Sequence, residues 1–189
     1  MSIFFITGTS KGIGKYLAEY YLNKGNKVIG TSRSKVVINN TNYEHIIADV
    51  SYENEIFKIF NHIKKNYGKL DVLINNVGIA SMNHSMLTPN ETVSKIFNLN
   101  VNATFLCIRE GVKLLRKSQS GRIINFSSVA VPLNLEGESI YAASKAAINS
   151  LTKTLSKEIS NFGITINSIG PNPIKTDLIK NISKKKINN

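Results

Sequence analysis

Apolar runs of strand length recur along the chain at Ile3–Thr7, Lys27–Ser32, His45–Asp49, Leu70–Asn75, Arg122–Ser127 and Ile164–Ile169. Most are continuous in β-branched and aliphatic residues rather than alternating, which is the pattern of strands covered on both faces. Amphipathic stretches of helical period separate them, at Ile13–Asn23, Glu53–Asn66, Glu91–Lys117 and Tyr141–Asn161. Strands and helices in alternation predict right-handed βαβ units in a doubly wound parallel sheet of about six strands, a three-layer α/β fold of Rossmann type. The segment from Arg33 to Glu44 is short, polar and rich in Asn, so a full crossover helix is not expected there.

The 189 residues fit one nucleotide-binding domain over 1–189, with a basic tail at 179–189 that is expected to fray. Hydrophobic residues make up 42% and charged residues 19%, a balance that fits a folded globular chain. No apolar run spans a bilayer, and the N-terminus lacks the features of a signal peptide. A lone cysteine, Cys107, excludes an internal disulfide framework and points to the cytoplasm. Lys and Arg outnumber Asp and Glu by 24 to 12, giving +12. The cations are scattered except at Lys184–Lys186, so solvated lysines are expected rather than a nucleic-acid surface. His45, His62 and His84 lie apart without ligand-spaced companions, and no metal is expected.

The turn after the first strand reads Thr7-Gly8-Thr9-Ser10-Lys11-Gly12-Ile13-Gly14. Glycines there allow a tight turn and let backbone amides approach a pyrophosphate at the positive end of the next helix. The strand–turn–helix setting makes Gly8, Ser10, Lys11, Gly12, Ile13 and Gly14 candidate dinucleotide-binding residues. About twenty residues on, an NAD site places an acid against the ribose hydroxyls. This chain has Thr31-Ser32-Arg33-Ser34 instead. Arg33 and Lys11 suit a 2′-phosphate, so NADP(H) is expected over NAD(H). Asp49 and Val50 would cup the adenine.

Tyr141 and Lys145 stand four residues apart, neighbours on one helix face. A phenol of pKa about 10 exchanges its proton poorly at neutral pH, and a nearby cation lowers that value. Thirteen residues before Tyr141, Ser127-Ser128 end the fifth strand, where open α/β sheets bind ligands. A serine there can donate to a carbonyl oxygen as its charge grows, and the spacing favours Ser128 over Ser127. Asn100 lies amid apolar neighbours in a helical pattern, either as a satisfied core amide or as the origin of a kink. Ile96, Val101, Phe105, Ala147, Leu151 and Leu155 are expected to pack internally, and His84 and Met86 fall in a loop.

Together with Asn75-Asn76-Val77-Gly78 and Gly170-Pro171-Asn172-Pro173-Ile174-Lys175-Thr176, these motifs resemble the short-chain dehydrogenase/reductase superfamily. The resemblance covers Met1 to about Leu178, and the chain is similar to 3-oxoacyl-[acyl-carrier-protein] reductase-like members. It implies that Ser128 polarises the carbonyl and Tyr141 is the acid/base. It also implies that Lys145 lowers the Tyr141 pKa and holds the nicotinamide ribose, and that Asn100 positions a water linking Lys145 to solvent. Asn76, Ile174 and Thr176 would contact cofactor, and a small carbonyl or alcohol would be substrate. The family's helices at the Glu91–Lys117 and Tyr141–Asn161 positions pair subunits, so a homodimer or higher homo-oligomer is expected. Two departures are Val77 for the family's usual Ala and Asn172 for its usual Gly, with Asn able to take the left-handed turn. The chain also stops where family members continue through a substrate-covering segment and a seventh strand. A catalytically silent dinucleotide-binding module, or a fragment of a longer reductase, is the alternative reading.

Overall fold

A computed structural model describes residues 1–174. Six parallel strands form one sheet in the order β3-β2-β1-β4-β5-β6, with β1 Ile3–Thr7, β2 Lys27–Ser32, β3 Tyr43–Ile47, β4 Val72–Asn75, β5 Arg122–Phe126 and β6 Thr165–Ile169. The order reverses between β1 and β4, which opens a crevice at the strand C-termini. One face packs α1, Gly12–Asn23, through Phe4, Ile6, Val28 and Ile74 against Ala18 and Leu22. The other carries α2 (Glu53–Tyr67), α4 (Ala103–Leu115) and α6 (Ser139–Ile159) over the larger core of Phe5, Ile29, Leu73, Ile123, Ile59, Ile108 and Leu155. Full burial of all five β1 residues agrees with the continuous apolar run that predicted a strand covered on both sides. No helix of the described residues is long and apolar enough to cross a membrane.

The two ends of β3 differ from the sequence pattern, each for a local reason. β3 starts at Tyr43 because the Val28 amide already donates to Asn42 O at 2.9 Å, and the paired register ends at Ile47. The Ala48 amide makes the last bond to β2, donating to Ser32 O at 3.0 Å, and the chain then turns so that Asp49 Oδ1 accepts from the Ser51 amide and hydroxyl. No helix intervenes between β2 and β3, as the polar Arg33–Glu44 segment suggested.

The long pattern Glu91–Lys117 divides into α3 (Asn90–Phe97), a π-helical turn (Asn98–Asn102) and α4. A short α5, Ala130–Leu133, also follows β5. Phe105 on α4 is exposed rather than internal, and Val101, Ala147 and Leu151 are half-buried. Asn172 does not take the left-handed conformation open to it: among the described residues Asn134, after α5, is the one non-glycine with positive φ. The basic tail 179–189 and Thr176 lie outside the described residues.

Candidate active site

The loop from Thr7 to Gly14 is pinned from two sides. Gly8 and Thr9 amides donate to Thr31 O at 2.8 and 3.1 Å. Thr7 Oγ1 accepts from the Asn76 and Val77 amides, both at 3.0 Å, and Asn76 Nδ2 donates to Thr7 O at 2.9 Å. Asn76 therefore braces the loop. A Cβ at Gly14 would lie 2.2 Å from Gly8 O, so only glycine lets the helix start this close to the turn. No side chain caps the first turn of α1, whose N-cap is Lys11, and this leaves backbone amides at a positive helix end. That cradle fits the pyrophosphate of a dinucleotide.

Beside it, exposed Arg33 and half-buried Asp49 line a cavity of about 480 Å³ with Ile47, Ala48 and Tyr52. Val50 is buried in the core beneath. The two ends of the expected adenosine site, Arg33 and Asp49, thus meet in one hollow. Tyr52 is a lining residue that the sequence pattern did not single out, since an aromatic just before a helix carries no periodic signal.

On the other side of the crevice, β5 delivers two serines to different tasks. Ser127 is buried and donates to Lys145 O at 3.2 Å, stapling the strand to α6. Ser128 Oγ accepts from the Ala130 amide at 3.1 Å and lies beside the Tyr141 phenol. Tyr141 is buried, and that burial holds its phenol above the ordinary value. The neighbouring Ser128 hydroxyl works in the opposite direction, and the charge of Glu138 adds to the rise.

The family resemblance implies that Lys145 depresses the Tyr141 pKa, yet its ammonium turns to the β5 backbone rather than to the phenol hydroxyl. Its Nζ donates to Phe126 O at 2.7 Å and sits 5.9 Å from the centre of the Tyr141 ring. Burial pushes the Lys145 ammonium itself down to about 8.

Asn100 occupies the π-helical turn, the kind of bulge that re-aims a side chain at a functional site. Its Oδ1 accepts from the Ile79 amide at 2.9 Å, and its Nδ2 donates to Ile79 O at 2.9 Å and to Ser144 Oγ at 3.0 Å. Both sequence alternatives hold together: a satisfied buried amide and a distorted helix. A Cβ at Gly78 would stand 3.3 Å from Lys145 Nζ and 3.4 Å from Asn100 Oδ1, so both groups converge on the chain after β4. Ser144 was missed by the sequence reading, although it lies three residues beyond Tyr141 and so on the same inward face. Ile174 is exposed beyond β6.

The chain matches the family model described as short chain dehydrogenase over residues 2–187. It is 31% identical over 187 residues to the 3-oxoacyl-[acyl-carrier-protein] reductase FabG of Salmonella typhimurium, covering 96% of this chain and 77% of the relative. It superposes on the solved structure of ElxO with NADP bound at a TM-score of 0.88 and 31% identity, covering 99% of this chain and 78% of that one. A 4-hydroxyisoleucine dehydrogenase complexed with NADH gives 0.86 at 29% identity, covering 94% and 78%. The sheet, the phosphate loop and these matches define an NAD(P)-dependent oxidoreductase acting on CH–OH and C=O groups. The chain belongs to the short-chain dehydrogenase/reductase family.

Proposed function

We propose that this enzyme is an NADP(H)-linked reductase of small carbonyl compounds, working also in the reverse direction on the alcohol, with Tyr141 as acid/base. The observation that carries the proposal is the placement of the Ser128 hydroxyl beside the buried Tyr141 phenol, with Lys145 and Asn100 close by.

Gly8, Ser10, Lys11, Gly12, Ile13 and Gly14 would hold the pyrophosphate, Asp49 the adenine, and Arg33 with Lys11 a 2′-phosphate. Ile174 would face the carboxamide end. The nicotinamide supplies the hydride when bound. Ser128 and Tyr141 grip the substrate oxygen from two hydroxyls and stabilise the charge that grows on it. Tyr141 then transfers its proton to that oxygen, so the carbonyl becomes an alcohol. Lys145, whose value of about 8 lies near working pH, takes up and returns protons close to Tyr141. Asn100 fixes the Ile79 backbone, next to the Gly78 position on which Lys145 Nζ converges. The exposed Phe105 on α4 and the half-buried Leu151 on α6 fit a homodimer through those helices.

The two serines provide the test. In an NADPH-oxidation assay across a panel of aldehydes and ketones, Ser128→Ala should lose most turnover and Ser127→Ala should keep it. Equal activity of the two variants would refute the assignment.

A further inference from the structure

A chain of polar side chains runs beneath the nucleotide end of the crevice, outside the catalytic group. Tyr43 and His45 project from β3 on the face where Gly30 lies opposite His45. The Tyr43 hydroxyl is 3.0 Å from Thr9 Oγ1 in the phosphate loop and 2.9 Å from His45 Nδ1. His45 Nε2 is 3.0 Å from Ser34 O and 3.2 Å from Ser32 Oγ, and that hydroxyl donates to Ser34 O at 2.7 Å.

Gly30 makes room for the contact. A Cβ there would lie 2.4 Å from Thr9 Oγ1 and 2.5 Å from the Tyr43 hydroxyl.

The chain has a defined polarity. A backbone carbonyl can only accept, so His45 carries its proton on Nε2 and donates to Ser34 O. Nδ1 of the neutral ring then accepts from the Tyr43 hydroxyl, whose oxygen accepts from Thr9. Burial holds the imidazole below its ordinary value, although its bond to the Ser34 carbonyl works the other way. The neutral form that this polarity needs is therefore the one present at neutral pH. Thr9 is buried, and its amide also bonds Thr31 O, so one end of the chain is rigid. The other end is the exposed Ser32–Ser34 segment with Arg33 at its centre.

We propose that His45 and Tyr43 are positioning residues for cofactor choice, tying the phosphate loop to the Ser32–Ser34 segment so that Arg33 is set for a 2′-phosphate. The proposal rests on the NADP(H) reading above. It places the discrimination partly on β3, in two side chains that need not touch the dinucleotide. Without the tie, the segment loses its bonds to His45 and keeps only its internal Ser32–Ser34 bond and strand pairing, so Arg33 samples positions away from the phosphate.

The test is calorimetric titration of the full chain with 2′,5′-ADP and with 5′-AMP, which differ only by the 2′-phosphate. Tyr43→Phe removes one hydroxyl and keeps the ring; His45→Leu removes both imidazole bonds; His45→Gln retains a donor for Ser34 O. Each of the first two should lower the ratio of 2′,5′-ADP to 5′-AMP affinity by about three- to tenfold, the size of one or two lost hydrogen bonds. His45→Gln should restore part of it. A ratio unchanged in both variants, or an equal loss for the two ligands, overturns the proposal, because a merely structural chain would not distinguish them. A wild-type chain with no preference for 2′,5′-ADP overturns the NADP(H) reading itself. A wild-type preference that survives both substitutions overturns only the role of His45 and Tyr43.

Discussion

Asn100 Nδ2 donates to Ser144 Oγ across 3.0 Å, and the same hydroxyl donates onward to Tyr141 O at 2.7 Å. Two fully buried polar side chains therefore join the π-helical turn to the helix that carries Tyr141 and Lys145. Asn100→Ala would leave the Ile79 amide and carbonyl and the Ser144 hydroxyl without this partner. Each buried group left unsatisfied costs about 1–3 kcal/mol. Thermal denaturation should show a clear loss of stability for Asn100→Ala and a smaller one for Ser144→Ala, since Asn100 then keeps both Ile79 bonds.

The phosphate loop yields a sharper steric prediction. In Gly14→Ala the new methyl would start 2.2 Å from Gly8 O, and backbone cannot yield as a flexible side chain can. Overpacking of this kind costs about 1–3 kcal/mol, and here it displaces the α1 amides from the turn. NADPH affinity, followed by fluorescence titration, should fall on the order of tenfold or more. An unchanged Kd would show that these amides do not hold the cofactor.

Lys145 predicts a pH dependence of stability. Burial lowers its folded value to about 8, below the unfolded value of about 10.4. Between those values the unfolded chain binds more protons, so this group's contribution to stability rises as pH rises through 8. Lys145→Met should abolish turnover. Its stability relative to wild type should decline between pH 7 and pH 10, read from urea midpoints across that range.

Asp71 has the opposite pH sign. Burial would raise its carboxyl, but the Ser118 hydroxyl, the Ile3 amide at 2.8 Å and Lys69 at 2.9 Å outweigh it and hold the value low. A carboxylate depressed on folding stabilises above its unfolded value, about pH 3.9, and that stabilisation is lost as pH falls through the folded value. The advantage of wild type over Asp71→Asn should thus be full at pH 6 and should shrink below about pH 4.

Much of this architecture was legible because buried parallel strands write themselves as continuous apolar runs, and Ile3–Thr7 is the clearest case. Gly8 through Gly14 were legible because steric limits leave glycine little substitute there. The π-helical turn was not, since Asn98–Asn102 keeps a helical apolar rhythm and only the bonds of Asn100 to Ile79, twenty-one residues away, expose the distortion. The direction of Lys145 was equally hidden. The four-residue spacing puts it beside Tyr141, but the Phe126 carbonyl on β5 decides where the ammonium goes. The Thr9–Tyr43–His45 chain escaped for the same reason, because strand pairing between β2 and β3 brings its members together.

The central claim is that Tyr141 gives the proton that turns a carbonyl into an alcohol. Tyr141→Phe keeps the ring in its buried place and removes only the hydroxyl. With any carbonyl substrate that wild type reduces, NADPH oxidation at saturating cofactor should fall on the order of 10²–10⁴-fold, while the Kd for NADPH stays within a few-fold of wild type. Turnover near the wild-type rate in this variant would contradict the account.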